Sequence, residues 1–177
     1  MTPTLKSRRL TLRAPRQADA ARVADFLNNF AVAGNLARVP FPYRLSDAKA
    51  WLKTRRDTLA PAETSFAIEF EEQGLVGQVG YHLRETGDAV LGYWLAEPFW
   101  GRGIMTEAVI ATLDWYFAAT RAETVVSGVF IFNAPSHAIQ HKLGFTETGR
   151  SSILCLARGE EVEHIDTELT RRVWSMR

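Results

Sequence analysis

Two glycines near the middle of the chain have the spacing of an anion-binding turn. Gly101 and Gly103 lie between an extended segment that ends at Leu95 and a run of apolar residues with helical spacing. Glycine removes the side chain that would keep a ligand away from the backbone. The amides that follow begin a helix, where unpaired N–H groups and the helix dipole favour a negative group, and Arg102 adds a positive charge. The segment predicts a pyrophosphate site or, alternatively, only a tight strand-to-helix turn.

Two common nucleotide-binding loops have a different pattern. A Walker loop requires Lys and then Ser or Thr after its last glycine, whereas Ile104 and Met105 follow Gly103 here. A dinucleotide-binding turn requires a third glycine, and Thr106 stands in that place. Both classes are therefore disfavoured.

Hydrophobic periodicity indicates the elements that position this turn. Apolar residues recur every four positions from Met105 to Phe117, as in a helix. Alternation and turn signals predict strands, and helical spacing predicts three more helices, the second of them capped by Ser46. The predicted strands are residues 7–14, 65–70, 75–83, 89–95, 124–132, 145–156 and 162–173, and the further helices are residues 17–28, a segment starting at 46, and 135–143. This order predicts one α/β domain over residues 1–177, a mixed sheet of about seven strands flanked by about four helices.

Composition and charge restrict the class of protein. The chain has 177 residues, of which 46% are hydrophobic, and a net charge of +1 from 21 basic and 20 acidic residues. No overall field attracts nucleic acid, residues 1–13 lack the apolar core of a signal peptide, and no apolar run reaches the length of about 20 residues that spans a membrane. The one cysteine, Cys155, fits a reducing compartment. We expect a cytoplasmic protein with neither a membrane nor a nucleic-acid partner.

Three segments resemble the GNAT superfamily of N-acetyltransferases. Gly-Tyr-Trp-Leu at 92–95 with Trp-Gly-Arg-Gly-Ile-Met-Thr-Glu-Ala at 100–108 resembles its acetyl-CoA pyrophosphate loop. Asn-Ala-Pro-Ser at 133–136 with Lys-Leu-Gly-Phe at 142–145 resembles its second conserved segment. Pro-Phe-Pro-Tyr at 40–43, with Asp-Ala and Trp-Leu just after it, is similar to the RimJ/RimL branch, which contains ribosomal-protein N-terminal acetyltransferases. The resemblance extends from about Arg8 to Val173.

The resemblance implies the GNAT acyl-CoA N-acyltransferase fold, with a twisted, mostly antiparallel sheet, and acetyl-CoA as cosubstrate. In this fold the fourth and fifth strands splay apart and the pantetheine arm enters the gap. The resemblance thus implies that backbone groups near Trp94 and Leu95 pair with the arm and that Asn133 contacts it near the thioester. The pyrophosphate would be held by the loop amides, those of Gly101, Arg102, Gly103, Ile104, Met105 and Thr106. Two positions depart from the family pattern, Trp100 in place of Gln or Arg and Met105 in place of a small residue.

The leaving thiolate must be protonated, and many GNAT enzymes use a tyrosine seven residues after the asparagine. Gln140 stands there in this chain. Ser136, three residues after Asn133, matches the serine of the RimL-type branch. We expect Ser136 to protonate the CoA sulfur, directly or through water; the alternative is that it only caps the helix beginning near Pro135.

The general base is not evident from the sequence. Val90 and Leu91 stand where some GNAT enzymes carry a glutamate. Asp88, Glu97 and His82 are near, but each is more typical of a surface or structural group. A water chain without a dedicated base is an equal alternative.

The sequence does not decide which amine is the acceptor. The RimJ/RimL resemblance suggests a protein N-terminus, and the alternatives are a small amine (antibiotic, polyamine or amino acid) or a non-catalytic acyl-CoA-binding module. His137 and His141 have a metal-like spacing without a third ligand, so we expect no metal. The oligomeric state is open, a homodimer included. Four aromatic residues are candidates for the acceptor pocket: Phe30, Phe41, Tyr43 and Trp51.

Overall fold

The computed structural model describes residues 2–55 and 60–177. Within these ranges eight strands form one sheet in the order β1-β2-β3-β4-β5-β6-β8-β7. The strands are Leu5–Lys6 (β1), Leu10–Arg13 (β2), Ser65–Phe70 (β3), Leu75–Leu83 (β4), Ala89–Leu95 (β5), Thr124–Phe130 (β6), Thr146–Cys155 (β7) and Glu160–Thr170 (β8). Neighbours run antiparallel except β5 and β6, which are parallel. The sheet is mostly antiparallel, as predicted. The additional strand β1 has two residues, too few for a periodic signal.

Six α-helices accompany the sheet in the same part of the chain. They are Ala20–Leu27 (α1), Phe30–Ala33 (α2), Leu45–Thr54 (α3), Ile104–Ala119 (α4), Ala134–Leu143 (α5) and Arg171–Trp174 (α6). The four predicted helices correspond to α1, α3, α4 and α5, whereas α2 and α6 are single turns. The predicted cap at Ser46 is wrong. The N-cap of α3 is Arg44, whose backbone N–H donates to the Asp47 carboxylate at 2.7 Å, because a carboxylate at this position reaches back to that orphan donor.

The two faces of the sheet carry different helices. Successive strand residues point to opposite faces, and α4 packs on one of them against Phe66 and Val79. The other face packs α1 and α3 against Ala67 and Leu75. A ligand that enters between the strands can therefore be reached from both layers.

Strands β5 and β6 diverge along their length. Val90 and Val126 are the pair that registers them, while residues 92–95 of β5 have no registered partner on β6. Instead, β6 pairs with β8 over its whole length. The unpaired edge of β5 leads to the N-terminus of α4, and such an edge can pair with an extended ligand.

Candidate active site

The turn between β5 and α4 presents backbone amides. Gly101 and Gly103 both have φ of +71°, a left-handed conformation that glycine adopts without steric cost. Gly103 is the N-cap of α4, and the amides that follow have no carbonyl partner within the helix. The side chains of Ile104 and Met105 are buried in the core. The larger residue at 105 is therefore accommodated by the core and leaves the amides accessible.

A hydrogen-bonded clamp from the β1–β2 turn holds this loop. The Glu107 carboxylate accepts from Ser7 Oγ at 2.7 Å, from the Arg9 backbone N–H at 2.8 Å and from Arg9 Nε at 2.8 Å. Arg9 Nη1 also donates to the Arg102 carbonyl at 3.0 Å. Burial raises the pKa of Glu107, but these hydrogen bonds and the charge of Arg9 outweigh it and lower the pKa. Glu107 is therefore ionised and neutralised by Arg9, so its charge opposes a bound anion less.

Two side chains of the loop serve its structure. Trp100 Nε1 donates to the Leu95 carbonyl at 2.7 Å and so ties the turn to the end of β5. The Arg102 guanidinium lies 4.8 Å from the centre of the Phe70 ring, outside the lining of the main cavity of the described residues. The side chain of Arg102 therefore does not line the cavity.

One cavity of about 1230 Å³ connects the turn, the gap between β5 and β6, and a chamber beside α3. This volume exceeds the roughly 300–1,000 Å³ of a typical small-molecule site, so it has room for two ligands. It brings together all the predicted site residues except Arg102. Those that line it are Trp94, Leu95, Gly101, Gly103, Ile104, Met105, Thr106, Asn133 and Ser136.

Ser136 meets a tyrosine that the sequence analysis missed. Ser136 Oγ donates to Tyr93 Oη at 3.3 Å, and Tyr93 Oη donates to the Ser136 carbonyl at 3.3 Å. Burial raises the pKa of Tyr93, so its phenol stays protonated at neutral pH. The sequence places Tyr93 in the predicted strand between Gly92 and Trp94, but only the packing of α5 reveals that its hydroxyl reaches Ser136.

Comparison with known proteins identifies the family of this site. Residues 9–146 match the acetyltransferase (GNAT) domain. The chain belongs to the GNAT acetyltransferase family. As a member of this family it is an acetyl-CoA-dependent N-acetyltransferase, and acetyl-CoA is its cosubstrate.

Relatives of known sequence or structure agree with this assignment. YdaF of Bacillus subtilis (strain 168), provisionally named a ribosomal N-acetyltransferase, is 28% identical over 175 residues, which is 93% of each chain. Mycobacterium smegmatis RimJ, solved in complex with CoA-disulfide, has a TM-score of 0.82 at 22% identity and covers 97% of this chain and 88% of its own. The microcin C7 self-immunity acetyltransferase MccE, solved with acetyl-CoA and AMP, has a TM-score of 0.79 at 21% identity over 93% of both chains. The structures show that the fold is the GNAT fold.

Gln140 is a structural amide in this GNAT chain. It is 1% exposed. Its Nε2 donates to Ser127 Oγ at 3.0 Å, and its Oε1 accepts from Thr167 Oγ1 at 2.7 Å. Gln140 therefore connects α5 to β6 and β8. Where many GNAT enzymes place a tyrosine on this helix, the hydroxyl group near Ser136 comes from Tyr93 on β5 instead.

Asn133 begins the same helix. Its Oδ1 accepts from the Ser136 backbone N–H at 3.3 Å, so its side chain is the N-cap of α5. The helix ends as predicted at Gly144, with φ of +94°. The side chain that caps α5 is therefore that of Asn133, whereas Ser136 Oγ is hydrogen-bonded to Tyr93.

Of the three bases considered from the sequence, His82 lines the cavity. Burial, and then the charges of Arg38, Arg84 and Arg55, lower its pKa to about 4, so it is neutral at physiological pH. Among the described residues, the cavity lining includes neither Asp88 nor Glu97.

A second imidazole on the cavity wall was not anticipated. His164 on β8 lies with its Nδ1 2.9 Å from Asp166 Oδ1. Its ring occupies the space beside Gly128, where a Cβ atom would come within 2.1 Å of the His164 ring. A His–Asp pair two residues apart on one strand is visible in the sequence, but its approach to Gly128 depends on the register of β6 and β8.

The other residues that the sequence analysis singled out lie in the following surroundings. His137 Nε2 lies 3.1 Å from Glu147 Oε1, and Cys155 is buried. In residues 2–55 and 60–177 no three His, Cys, Asp or Glu side chains are grouped to hold a metal ion. The helices of the same ranges are too short or too polar to cross a membrane. Tyr43 and Trp51 line the cavity, whereas the rings of Phe30 and Phe41 contact each other outside its lining, with centres 5.4 Å apart.

Proposed function

We propose that this chain, acting as one domain, transfers the acetyl group of acetyl-CoA to the α-amine of a peptide or protein N-terminus. The observation that carries the proposal is the single cavity that joins the α4 turn to the chamber lined by Tyr43 and Trp51. Both substrates can meet in it without rearrangement of the strands. The name of YdaF, a ribosomal N-acetyltransferase by provisional assignment, favours a ribosomal-protein N-terminus as acceptor. With one buried cysteine, the chain fits a cytoplasmic location.

The donor is held mainly by backbone groups in this proposal. The amides from Gly101 to Thr106 bind the pyrophosphate at the start of α4. The Ala96 N–H pairs with Val76 on β4, so by alternation the Leu95 N–H points toward the gap. Since the Leu95 carbonyl already accepts from Trp100, this N–H is the open group for the pantetheine arm. Asn133 lines the same cavity and, in this proposal, contacts the arm near the thioester.

Ser136 and Tyr93 handle the proton of the leaving group. As the amine nitrogen bonds to the acetyl carbon, the carbon–sulfur bond breaks and the sulfur takes a proton. Ser136 Oγ supplies it, directly or through water, and regains a proton from solvent. Tyr93 orients the serine hydroxyl and remains protonated because burial raises its pKa.

The proton that the ammonium group must lose goes to His164 in this scheme. His164 lines the cavity, and Asp166, with Oδ1 2.9 Å from its Nδ1, fixes the orientation of the ring. His82 is a poorer base because its pKa is lowered to about 4. If a water chain takes the proton instead, His164→Gln should keep the turnover of the wild type, and measuring kcat for both proteins distinguishes the two cases.

The first test follows CoA release with a thiol reagent. Acetyl-CoA is presented with N-terminal peptides and, separately, with small amines. Release with peptides supports the proposal, and release with small amines alone contradicts it in favour of a metabolite or drug acetyltransferase. Tight acetyl-CoA binding without release for any acceptor supports the binding-module alternative.

Replacement of the proposed proton donor tests the chemistry. Ser136→Ala should lower kcat on the order of a hundredfold, as loss of general-acid catalysis does, with the KM for acetyl-CoA within about twofold. The matched control is Ser175→Ala, since Ser175 lies in the C-terminal turn and donates to the Arg172 carbonyl. Unchanged turnover in Ser136→Ala would remove Ser136 from the mechanism.

A further inference from the structure

Three arginines converge on one wall of the acceptor chamber. Arg38 follows α2, Arg55 follows α3 and Arg84 follows β4, and all three line the cavity. Arg38 Nη2 lies 3.3 Å from His82 Nε2. His82 lines the same cavity, and its pKa is lowered first by burial and then by the charges of Arg38, Arg84 and Arg55. A neutral His82 leaves this wall with an arginine charge from each of three separate segments.

These arginines have little opposing charge. Among the side chains of residues 2–55 and 60–177, no carboxylate forms an ion pair with any of the three, although Arg9, Arg13, Arg150 and Arg171 all have such partners. Two acids of the described residues bear on this wall. Asp47 lines the cavity but accepts from the Arg44 backbone N–H, and Glu63 acts on Arg55 from a distance. Mutual repulsion of the guanidinium groups favours binding of an anion.

A backbone hydrogen bond and a ring contact hold parts of this wall in place. The segment before Arg38 is hydrogen-bonded to the end of β7, where the Leu156 N–H donates to the Ala37 carbonyl at 3.1 Å. The Arg55 guanidinium lies 5.4 Å from the centre of the Trp51 ring. Because these side chains are partly ordered before a ligand arrives, less entropy is lost when it binds.

We infer that the chamber selects an acceptor that carries a carboxylate or phosphate group about 10 Å from its amine. His82 pairs with Val90 on β5, and Tyr93 is three residues further along that strand. Three strand residues span about 10 Å, which separates the arginine wall from the Ser136–Tyr93 pair where the amine reacts. The inference rests on the proposed function and adds the chemical class of acceptor. In an extended peptide this distance is reached from the second or third residue, so acidic residues are preferred there.

The test compares peptides of one length that differ only at positions two and three. They carry Glu-Glu, Gln-Gln or Lys-Lys, and kcat/KM is measured for the wild type, Arg38→Gln, Arg84→Gln and the control Arg172→Gln. Arg172 is exposed on α6 and lies outside the cavity lining. We expect the wild type and control to prefer Glu-Glu over Gln-Gln by on the order of tenfold, with Lys-Lys the poorest. Each cavity variant should reduce the preference to about twofold, with the KM for acetyl-CoA unchanged, and added salt should weaken it.

Each outcome separates the inference from the proposed function. Equal kcat/KM for Glu-Glu and Gln-Gln peptides overturns the inference while their turnover keeps the N-terminal function. A preference that survives in both Arg38→Gln and Arg84→Gln also overturns it. If no peptide reacts but ω-amino carboxylic acids of similar length do, and Arg38→Gln abolishes their turnover, the anion site is supported and the peptide function fails. Phosphoserine in place of Glu at position two distinguishes phosphate from carboxylate as the preferred anion.

Discussion

The two ends of the cavity are built on different principles. In the proposed assignment, the donor end offers its ligand the backbone amides of the turn at Gly101 and Gly103 and the open edge of β5. The acceptor end offers side chains, notably Arg38, Tyr43 and His82, from segments far apart in the sequence. Backbone groups suit the donor, because acetyl-CoA is the same molecule in every enzyme that uses it. Side chains can differ from one enzyme to another and so suit different acceptors. The difference explains why a shared fold accommodates many acceptors.

Two arginine–carboxylate clamps differ in burial, one between Arg13 and Asp19 at the start of α1 and one between Arg9 and Glu107 at the donor end, and we expect the larger effect on stability at the more buried one. Arg13 donates to both Asp19 oxygens, at 2.8 and 2.9 Å, and both side chains are 9% exposed. Asp19→Asn leaves this guanidinium with Glu69, 2.7 Å from Arg13 Nε, as its ion-pair partner and should lower the free energy of unfolding by about 2 kcal/mol. Glu107→Gln at the donor end should cost only about 1 kcal/mol, since it leaves a more exposed arginine. Urea unfolding at pH 7 measures both.

The contribution of the Arg13–Asp19 pair to stability should depend on pH. Burial raises the pKa of Asp19, but the hydrogen bonds from Arg13 and Arg16 outweigh it, so the folded pKa is lowered. A lowered carboxyl pKa stabilises the fold above the unfolded value of about 3.9 and loses that effect as the pH falls through the folded value. The deficit of Asp19→Asn should therefore shrink below about pH 4. An equal deficit at pH 7 and pH 3 would contradict this account.

At the donor end, backbone conformation is tested by a matched pair of glycines. Gly101 and Gly159 have φ of +71° and +69°, and a Cβ at either would meet no atom within 4 Å. Valine at either should destabilise the fold by about 1–2 kcal/mol through left-handed strain alone. Only Gly101→Val should also raise the KM for acetyl-CoA, by about tenfold, because the strain displaces the amides. An equal KM in the two variants would mean that the turn does not bind the donor.

The donor end could be predicted from the sequence because its information is local. Strands β3, β4 and β5 coincide with the predicted ranges, since alternating residues and glycine turns mark each of them. The turn at 101–103 is likewise defined by glycines close together in the chain. The predicted role of Arg102 depended on where its side chain lies, and it stacks on Phe70 from a distant strand.

The contacts around the proton donor could not be predicted because they are tertiary, whereas Tyr43 and Trp51 of the acceptor chamber were among the predicted candidates. Tyr93 and Gln140 come together only when α5 packs on β5, and the role of Gln140 depends on Thr167 of β8. Likewise, His164 reaches the cavity through the register of β6 and β8. A sequence pattern records which side chains a strand carries but not which partner each one meets across the sheet.

The tyrosine between the two ends should have an intermediate effect. Tyr93→Phe removes the hydroxyl that holds Ser136 Oγ and leaves the bond between Gln140 and Ser127 in place. Because the phenylalanine ring retains the packing, we expect kcat to fall about fivefold to tenfold, from a less well-oriented serine, with the KM for acetyl-CoA unchanged. In Ser136→Ala the same tyrosine change should have almost no further effect on kcat. Additive losses in the double variant would instead assign Tyr93 an independent role.

The smallest effect is expected at His82, although it lies at the centre of the arginine wall. Burial and the neighbouring arginines hold its pKa near 4, so its charge does not change between pH 5.5 and 8. His82→Gln should therefore change kcat/KM by less than about twofold and leave the shape of the pH profile intact in that range. His164→Gln, in contrast, should lower kcat on the order of a hundredfold, because the proposed base is lost. An inflection near pH 6.5 that disappears in His82→Gln would show that His82 titrates as an ordinary histidine, and the arginine charges would then not act together on it.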